Sequence, residues 1–299
     1  MITRLTDEDL PGVWRDADRS SLRAQSLALI LTRAKMGGAV FAAIGGAVSG
    51  QVSHFDLGGA IILSGFVVAL VAEVVSWVDS PERRWYEARA VAESAKTLAW
   101  RYAVGADPFP IGMSRAESDN VLRKRLIEIT RQISEVVVFG DSDIVNTERM
   151  NVLRRAPFEE RKSAYISGRT LNQKEWYAKK AQLNTRHARG WRVVLVLAEV
   201  LAVMLALGQL LGDWQIDFAG ILAALIGAGA AWVAVKQFSS LSSAYSVAAA
   251  ELGIQVSRLR SVDEKDWALV VADAEEAISR EHTTWLASRM GRSAECPKR

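Results

Sequence analysis

The sequence predicts an all-α integral membrane protein with two transmembrane helical hairpins and long cytoplasmic helices. Half of its 299 residues are hydrophobic, yet 24% are charged. The two kinds of residue are separated along the chain, because residues 36–78 and residues 193–235 contain no Lys or Arg. We therefore place the membrane hairpins at about residues 36–78 and 190–238.

Each hairpin is predicted from two apolar segments joined by a short polar turn. A helix needs about 20 apolar residues to cross the hydrocarbon core of a bilayer, within a range of roughly 17–25. Polar residues divide the two uninterrupted stretches at 51–56 and at 212–217. The predicted membrane helices are residues 36–52, 57–78, 190–211 and 218–238.

The basic residues predict the orientation of both hairpins. Arg33 and Lys35 precede the first hairpin, and Arg192 and Lys236 flank the second, whereas neither polar turn contains a Lys or Arg. Cytoplasmic flanks of membrane helices are enriched in Lys and Arg. Both turns are therefore predicted outside, with the N-terminus, the central segment and the C-terminus in the cytoplasm. The polar N-terminal residues lack the apolar core of a signal peptide, so the first hairpin is expected to stay as an anchor.

Small residues recur at every fourth position on two of the predicted membrane helices. Such faces let helices approach closely in lipid, where hydrophobic association is weak. Two interpretations stay open: packing within each hairpin, and packing between subunits around a pore. The residues are Gly38, Ala42, Gly46 and Gly50 on the first helix, and Ala219, Ala223, Gly227 and Ala231 on the fourth.

Two acidic residues fall inside predicted membrane helices. Glu199 lies near the middle of the third helix, and Glu73 lies five residues from the cytoplasmic end of the second. Ionisable residues in a bilayer are costly and usually face a bundle interior or an aqueous path. Glu199 and Glu73 are therefore candidate pore or gating residues. The alternative is a packing role, and for Glu73 a side chain that extends to the interface.

No pattern of catalytic or cofactor-binding residues is present in the sequence. The three His are far apart, and a metal site needs several ligands at compatible spacing. The glycines at Gly227 and Gly229 lie in an apolar helix and do not form a nucleotide-binding loop. We expect no enzyme activity, no metal and no cofactor. The net charge of +3 gives no reason to expect nucleic-acid binding, since basic flanks of membrane helices account for it.

The order of elements predicts two modules built on the same plan. Each has a helix that leads into a membrane hairpin and a helix that follows it. The first module is predicted at residues 1–140 and the second at residues 158–299, with a linker at residues 141–157.

Long segments next to the hairpins resemble the SLATT superfamily. Residues 83–109 (RRWYEARAVAESAKTLAWRYAVGADPF) are similar to one class of that superfamily, and residues 161–184 (RKSAYISGRTLNQKEWYAKKAQLN) are similar to another. Residues 236–252 and 275–289 extend the second similarity. The tandem order also resembles members with four membrane helices.

The resemblance implies a function that spacing alone does not show. SLATT proteins are bacterial modules of two transmembrane helices found in anti-phage and conflict systems. They are regarded as effectors that oligomerise and form pores or disrupt the inner membrane, often triggered by a nucleotide-synthesising or nucleotide-sensing partner protein. The family has no catalytic motif to carry over. This chain has no recognisable fused sensor domain, so a separate protein could instead dock on the cytoplasmic helices.

The sequence therefore predicts an antiviral membrane effector at the inner membrane that assembles as a homo-oligomer when triggered. Two alternatives remain open. A constitutive ion channel or transporter would conduct without a trigger, and a membrane scaffold would recruit cytoplasmic proteins without conducting.

Overall fold

The computed structural model describes residues 5–47, 51–52, 55–131, 140, 145–212, 216–276 and 278. The chain divides into two compact units. The core unit is formed by Met1–Gln25, Glu82–Lys179 and Tyr245–Arg299. The membrane unit is formed by Ser26–Pro81 and Lys180–Ala244.

Helices account for almost all of the described residues. In chain order the elements are a 3-10 turn (Asp7–Asp9), α1 (Gly12–Ala47), the two-residue strands β1 (Gln51–Val52) and β2 (Phe55–Asp56), α2 (Leu57–Asp79), α3 (Pro81–Val104), α4 (Arg115–Arg131), α5 (Glu148–Arg155), α6 (Phe158–Tyr165), a π-helix (Ile166–Thr170), α7 (Leu171–Leu211), α8 (Phe218–Lys236), α9 (Phe238–Ser261) and α10 (residues 264–276).

Among the residues that the structure describes, four helical stretches are long and apolar enough to cross a membrane, which confirms the predicted fold class. They are Gly12–Ala47, Leu57–Asp79, Phe158–Leu211 and Phe218–Ser261. Three of them extend well beyond the predicted membrane segments, because helical sequence continues on the polar side of each span. In the first polar turn, β1 and β2 pair in antiparallel register, with Gln51 opposite Asp56.

The second helix of each hairpin begins and ends in the same way. The side chain of Asp56 accepts a hydrogen bond from the backbone N–H of Gly59 at 3.0 Å, and Asp217 accepts one from Gly220 at 2.8 Å. These carboxylates satisfy N–H groups that have no partner inside the helix. The last turn ends at a left-handed residue, Ser80 after α2 (φ 42°) and Gln237 after α8 (φ 50°).

Each of these left-handed residues donates its backbone N–H back into the preceding helix. The N–H of Ser80 reaches the carbonyl of Ser76 at 3.1 Å, and that of Gln237 reaches the carbonyl of Val233 at 2.9 Å. This hydrogen bond is the αL motif that ends many helices. Pro81 then occupies the first position of α3, where its missing N–H costs nothing.

The larger hydrophobic cluster of the core unit draws on all three of its chain segments. Helix α3 contributes a face of small residues at helical spacing, so that its neighbours approach closely. Aromatic residues fill the surrounding space, among them Trp14, Trp100, Tyr165 and Trp267. The buried alanines of α3 are Ala88, Ala92, Ala95, Ala99 and Ala103.

The predicted linker region contributes to this same cluster. Residues 141–144 lie outside the described residues, but α5 follows them and buries Met150 and Leu153 completely or nearly so. The end of α3 is also tied to α10, since the indole N–H of Trp267 donates to the carbonyl of Val104 at 2.8 Å. The division of the chain into modules at residues 141–157 stays a prediction.

Candidate functional site

The first hairpin is held together by backbone-to-backbone contact between glycines. A Cβ atom added to Gly38 would lie 2.6 Å from the carbonyl oxygen of Gly65, and one added to Gly65 would lie 2.5 Å from that of Gly38. Ala42 and Gly45 are buried along the same face of α1. These glycines allow α1 and α2 to approach more closely than any side chain would permit.

On the face of α1 that packs on α2, the small residues are not all four positions apart. Gly45 packs against the backbone of α2, whereas a Cβ added to Gly46 would have nothing within 4 Å. An α-helix has 3.6 residues per turn, so steps of four followed by three keep one face in register and repeated steps of four do not. Gly50, the last predicted member, lies outside the described residues.

The second hairpin packs through side chains and leaves its small residues open. A Cβ on Gly229 would lie 3.2 Å from a methyl group of Leu195, but one on Gly227 would have nothing within 4 Å. Ala223 and Ala231 are exposed in the chain, and Ala219 is half-buried. The predicted small-residue face of α8 is therefore mostly exposed within one subunit.

Glu73 forms an ion pair with the neighbouring helix. Its carboxylate lies 3.0 Å from the ammonium group of Lys35 on α1. The two side chains are partly exposed, so the pair contributes little to stability by itself in an aqueous setting. Within the membrane unit, this contact gives Glu73 a structural partner across the first hairpin.

Glu199 is exposed on α7. Its neighbours Leu195, Ala198 and Ala202 are half-buried and form the side of the helix that is covered within the subunit. Glu199 lies four positions after Leu195 and three before Ala202, so it borders the covered side of the helix, but its own side chain is exposed. Among the residues that the structure describes, no side chain forms an ion pair or hydrogen bond with its carboxylate.

Two basic residues meet on one aromatic ring at the polar ends of the hairpins. The guanidinium carbon of Arg33 lies 5.2 Å from the ring centroid of Trp232, and the ammonium nitrogen of Lys236 lies 5.0 Å from it. Arg33 begins the apolar part of α1, and Lys236 ends α8. The basic flanks of the two hairpins are thus on the same side of the membrane unit.

The core unit contains a buried ion pair that the sequence did not reveal. Nε and Nη2 of Arg169 donate to the two carboxylate oxygens of Glu275 at 3.0 and 2.9 Å. Tyr165 and Thr97 donate to the same carboxylate at 3.0 and 2.9 Å. The exposed fractions of the Arg169 and Glu275 side chains are 2% and 0%.

Burial and pairing both act on the ionisation of this cluster. Burial by itself would lower the pKa of Arg169, but the charge and hydrogen bonds of Glu275 outweigh it and raise the pKa. Burial and the adjacent Glu275 also raise the pKa of the Tyr165 hydroxyl well above its ordinary value. Arg169 therefore stays protonated and Tyr165 stays neutral.

The local backbone explains how Arg169 reaches the interior. It lies in the π-helix at Ile166–Thr170, where one extra residue per turn changes the direction of the side chains relative to α6 and α7. No short motif marks this pair, because Arg169 and Glu275 are 106 positions apart. In the described part of the chain, no group of three or more His, Cys, Asp or Glu is arranged to hold a metal ion.

The four apolar helices and the two hairpins define a multi-pass helical membrane protein. Two family models match the chain in tandem: SLATT_3, described as SMODS and SLOG-associating 2TM effector domain 3, at residues 11–162, and SLATT_1, the corresponding effector domain 1, at residues 165–285. The chain belongs to this SLATT family of membrane effectors, which confirms the resemblance found in its sequence. No curated protein and no solved structure matches the chain.

Proposed function

We propose that this chain is a triggered, non-enzymatic effector of a bacterial anti-phage system, whose copies assemble in the inner membrane and form a pore. Assembly would bring Glu199 from each copy into a shared interior. In this arrangement both termini and the core unit are cytoplasmic, and a nucleotide-synthesising or nucleotide-sensing partner protein supplies the trigger.

The exposed carboxylate of Glu199 carries the proposal. It lies nine residues into the 190–211 segment, or about 14 Å at 1.5 Å per residue, close to the middle of a hydrocarbon core about 30 Å thick. A carboxylate facing lipid at that depth is unfavourable whether it is ionised or neutral. Association with other copies replaces that lipid contact with a wet or hydrogen-bonded interior.

The packing of the second hairpin supports the same conclusion. In each of its two helices, no residue of the most apolar 18-residue stretch is buried within the subunit. The face formed by Ala223, Gly227 and Ala231 remains open for a neighbouring helix, and small residues are what close helix association in lipid requires. The family description as an effector domain fits a protein that acts through the membrane itself.

The test is to measure membrane potential with a voltage-sensitive dye in bacteria that express the chain from an inducible promoter, with and without phage infection. We expect depolarisation and growth arrest in the triggered cells. Glu199→Gln at equal protein level should reduce the depolarisation strongly. Glu251→Gln, which changes an exposed carboxylate of α9 in the core unit, is the control and should leave it unchanged.

Each alternative function predicts a different outcome. Depolarisation without infection and without growth arrest would identify a constitutive channel. A normal potential in infected cells, with the protein inserted in the membrane, would contradict pore formation and favour a scaffold. Cross-linking in native membranes supplies the second criterion, since a chain that stays monomeric after infection would also contradict the proposal.

A further inference from the structure

Two positive charges from different hairpins lie next to Trp232, at the end of the membrane unit that is away from the polar turns. The guanidinium carbon of Arg33 and the ammonium nitrogen of Lys236 lie 5.2 and 5.0 Å from the centroid of its ring. The two charged groups are therefore at most about 10 Å apart. Arg33 belongs to α1 in the first hairpin, and Lys236 ends α8 in the second.

These groups lie at the depth of the lipid headgroups. Helix α8 has 19 residues, or about 28 Å at 1.5 Å per residue, which matches a hydrocarbon core about 30 Å thick. Lys236, its last residue, is therefore at the boundary of the hydrocarbon, and Trp232 lies about one turn further in. Trp is enriched at this boundary, because its ring is apolar and its N–H is polar.

This end of the membrane unit carries an excess of positive charge. All seven of the unit's Lys and Arg residues are on this side, whereas only two of its acidic residues are, Glu73 and Asp79. Glu73 pairs with Lys35 at 3.0 Å. The seven basic residues are Arg33, Lys35, Lys180, Arg186, Arg189, Arg192 and Lys236.

Arg33 has no counter-ion in the described part of the chain. Its side chain is exposed, and none of the residues that the structure describes forms an ion pair or hydrogen bond with it. The face of an indole ring attracts a cation only weakly at an exposed site, and the nearby charge of Lys236 opposes that attraction. A guanidinium group at the edge of the hydrocarbon therefore favours an anion at the same depth.

Lipid phosphates are the anions that occur at this depth. Basic pockets between membrane helices bind anionic headgroups. Arg binds phosphate oxygens through two parallel hydrogen bonds, and Lys binds them as a point charge. Because Arg33 and Lys236 are at most about 10 Å apart, one headgroup can contact both.

The surface of α1 below Arg33 is open and apolar. Gly37 and Phe41 follow at four and eight positions, so they share its face of the helix. A Cβ added to Gly37 would have nothing within 4 Å, and Phe41 is 48% exposed. This face leaves room for an acyl chain that extends from a headgroup bound at Arg33.

We propose that Arg33, Trp232 and Lys236 form a binding site for an anionic phospholipid. The lipid phosphate accepts hydrogen bonds from Arg33 and Lys236, and one acyl chain lies over Gly37 and against Phe41. A bound lipid then contacts both hairpins and stabilises the contact between α1 and α8.

Thermal melting of the full-length protein in detergent, with lipid added, tests this site. The probes are phosphatidylglycerol, phosphatidylcholine with the same acyl chains, and glycerol 3-phosphate. Phosphatidylglycerol should raise the melting temperature, because a ligand that binds the folded state stabilises it. Phosphatidylcholine has a phosphate but no net charge and should raise it much less. Glycerol 3-phosphate has no acyl chains and should leave it unchanged at the same concentration.

A matched pair of variants places the lipid at Trp232. Arg33→Gln should weaken phosphatidylglycerol binding about tenfold or more, because a hydrogen bond between charged groups is lost. Arg186→Gln is the control, since it removes one exposed positive charge from the same end of the unit. The ring of the adjacent His187 packs on Phe238, beyond the end of α8, so Arg186 lies outside the site. Native mass spectrometry counts the lipids that each variant retains.

Four results would overturn the proposal. No melting shift with phosphatidylglycerol would exclude the site, and an equal shift with phosphatidylcholine would show that headgroup charge is not recognised. An equal shift with glycerol 3-phosphate would identify a soluble phosphate ligand. Equal weakening by Arg33→Gln and Arg186→Gln would show diffuse attraction to the basic end. The readout is lipid binding, so the result does not depend on the proposed pore.

Discussion

The two membrane hairpins share their helix ends but differ in how their helices meet. Both second helices begin at a capping aspartate, Asp56 or Asp217, and end at a left-handed residue, Ser80 or Gln237. In the first hairpin the helices touch through glycine backbone. In the second hairpin the helices touch through side chains, and no residue in the most apolar 18-residue stretch of either helix is buried.

In the proposed assembly, this difference corresponds to a division of roles between the hairpins. The first packs Gly38, Gly45 and Gly65 against backbone within the hairpin and pairs its acidic residue, Glu73, with Lys35. The second leaves both its small residues and its acidic residue, Glu199, on open surface. A hairpin that is complete within the subunit suits an anchor, and one that is incomplete suits assembly between subunits.

The largest expected effect comes from a side chain at the glycine contact of the first hairpin. Gly65→Leu places its Cβ 2.5 Å from the carbonyl oxygen of Gly38, so the helices must separate, and overpacking of this kind typically costs about 1–3 kcal/mol. The melting temperature in detergent should fall clearly. Gly46→Leu on α1 is the control, and an equal fall there would show that the glycine contact is not what holds the hairpin.

Substitutions at Gly227, which has nothing within 4 Å, and at Gly229, which contacts α7, should have different effects on stability and assembly. Gly227→Leu faces empty space in the subunit, so it should leave the melting temperature of the monomer unchanged while it weakens cross-linked oligomers. Gly229→Leu meets Leu195 and Trp191, and should lower the melting temperature. Normal oligomers in Gly227→Leu would mean that this face is exposed to lipid and is not an interface.

Substitutions of the two acidic residues, Glu73 and Glu199, should change stability less than the glycine substitutions do. Glu73→Gln removes a partly exposed ion pair, for which about 0–1 kcal/mol of stability is expected, and it should leave depolarisation intact. Glu199→Gln should leave the melting temperature of the monomer unchanged or slightly raised, and should reduce depolarisation. The reverse assignment, in which Glu73→Gln removes activity and Glu199→Gln does not, would contradict the division of roles.

The smallest effect is expected at the matched left-handed residues. A left-handed conformation costs a residue other than Gly roughly 1–2 kcal/mol, and Gly loses about 0.5–1 kcal/mol in chain entropy. Ser80→Gly and Gln237→Gly should therefore each stabilise the protein by about 0.5 kcal/mol. Chemical denaturation of the two variants in detergent measures this, and opposite signs would show that the two helix ends are not equivalent.

The sequence predicted the membrane elements well because their signal is local. Each hairpin is located by a stretch of 43 residues without Lys or Arg that a polar turn divides in two. The bounds of α2 agree with the prediction to within one residue. The faces through which these helices pack were harder to predict. A spacing of four groups Gly46 with Gly38 and Ala42, whereas within the subunit it is Gly45 that contacts α2.

The polar interior of the core unit could not be predicted for a different reason. Arg169 and Glu275 are far apart in the chain, and each is an ordinary charged residue in an ordinary helix. Only the packing of α10 against α3 and α6 removes both from water and makes each depend on the other. Nη1 of Arg169 is buried without a hydrogen-bond partner among the described residues, and this too is a property of the assembled interior.

The sequence by itself determined that this protein is helical, that four of its segments can cross a membrane, and that its polar flanks carry the basic charge. These properties follow from local composition, because a bilayer selects long apolar helices whatever lies next to them. The tertiary structure decided which glycines touch, which acidic residue is paired, and which donor is left buried without an acceptor. Those outcomes depend on which surfaces remain after the helices have packed, and packing joins residues that are distant in the chain.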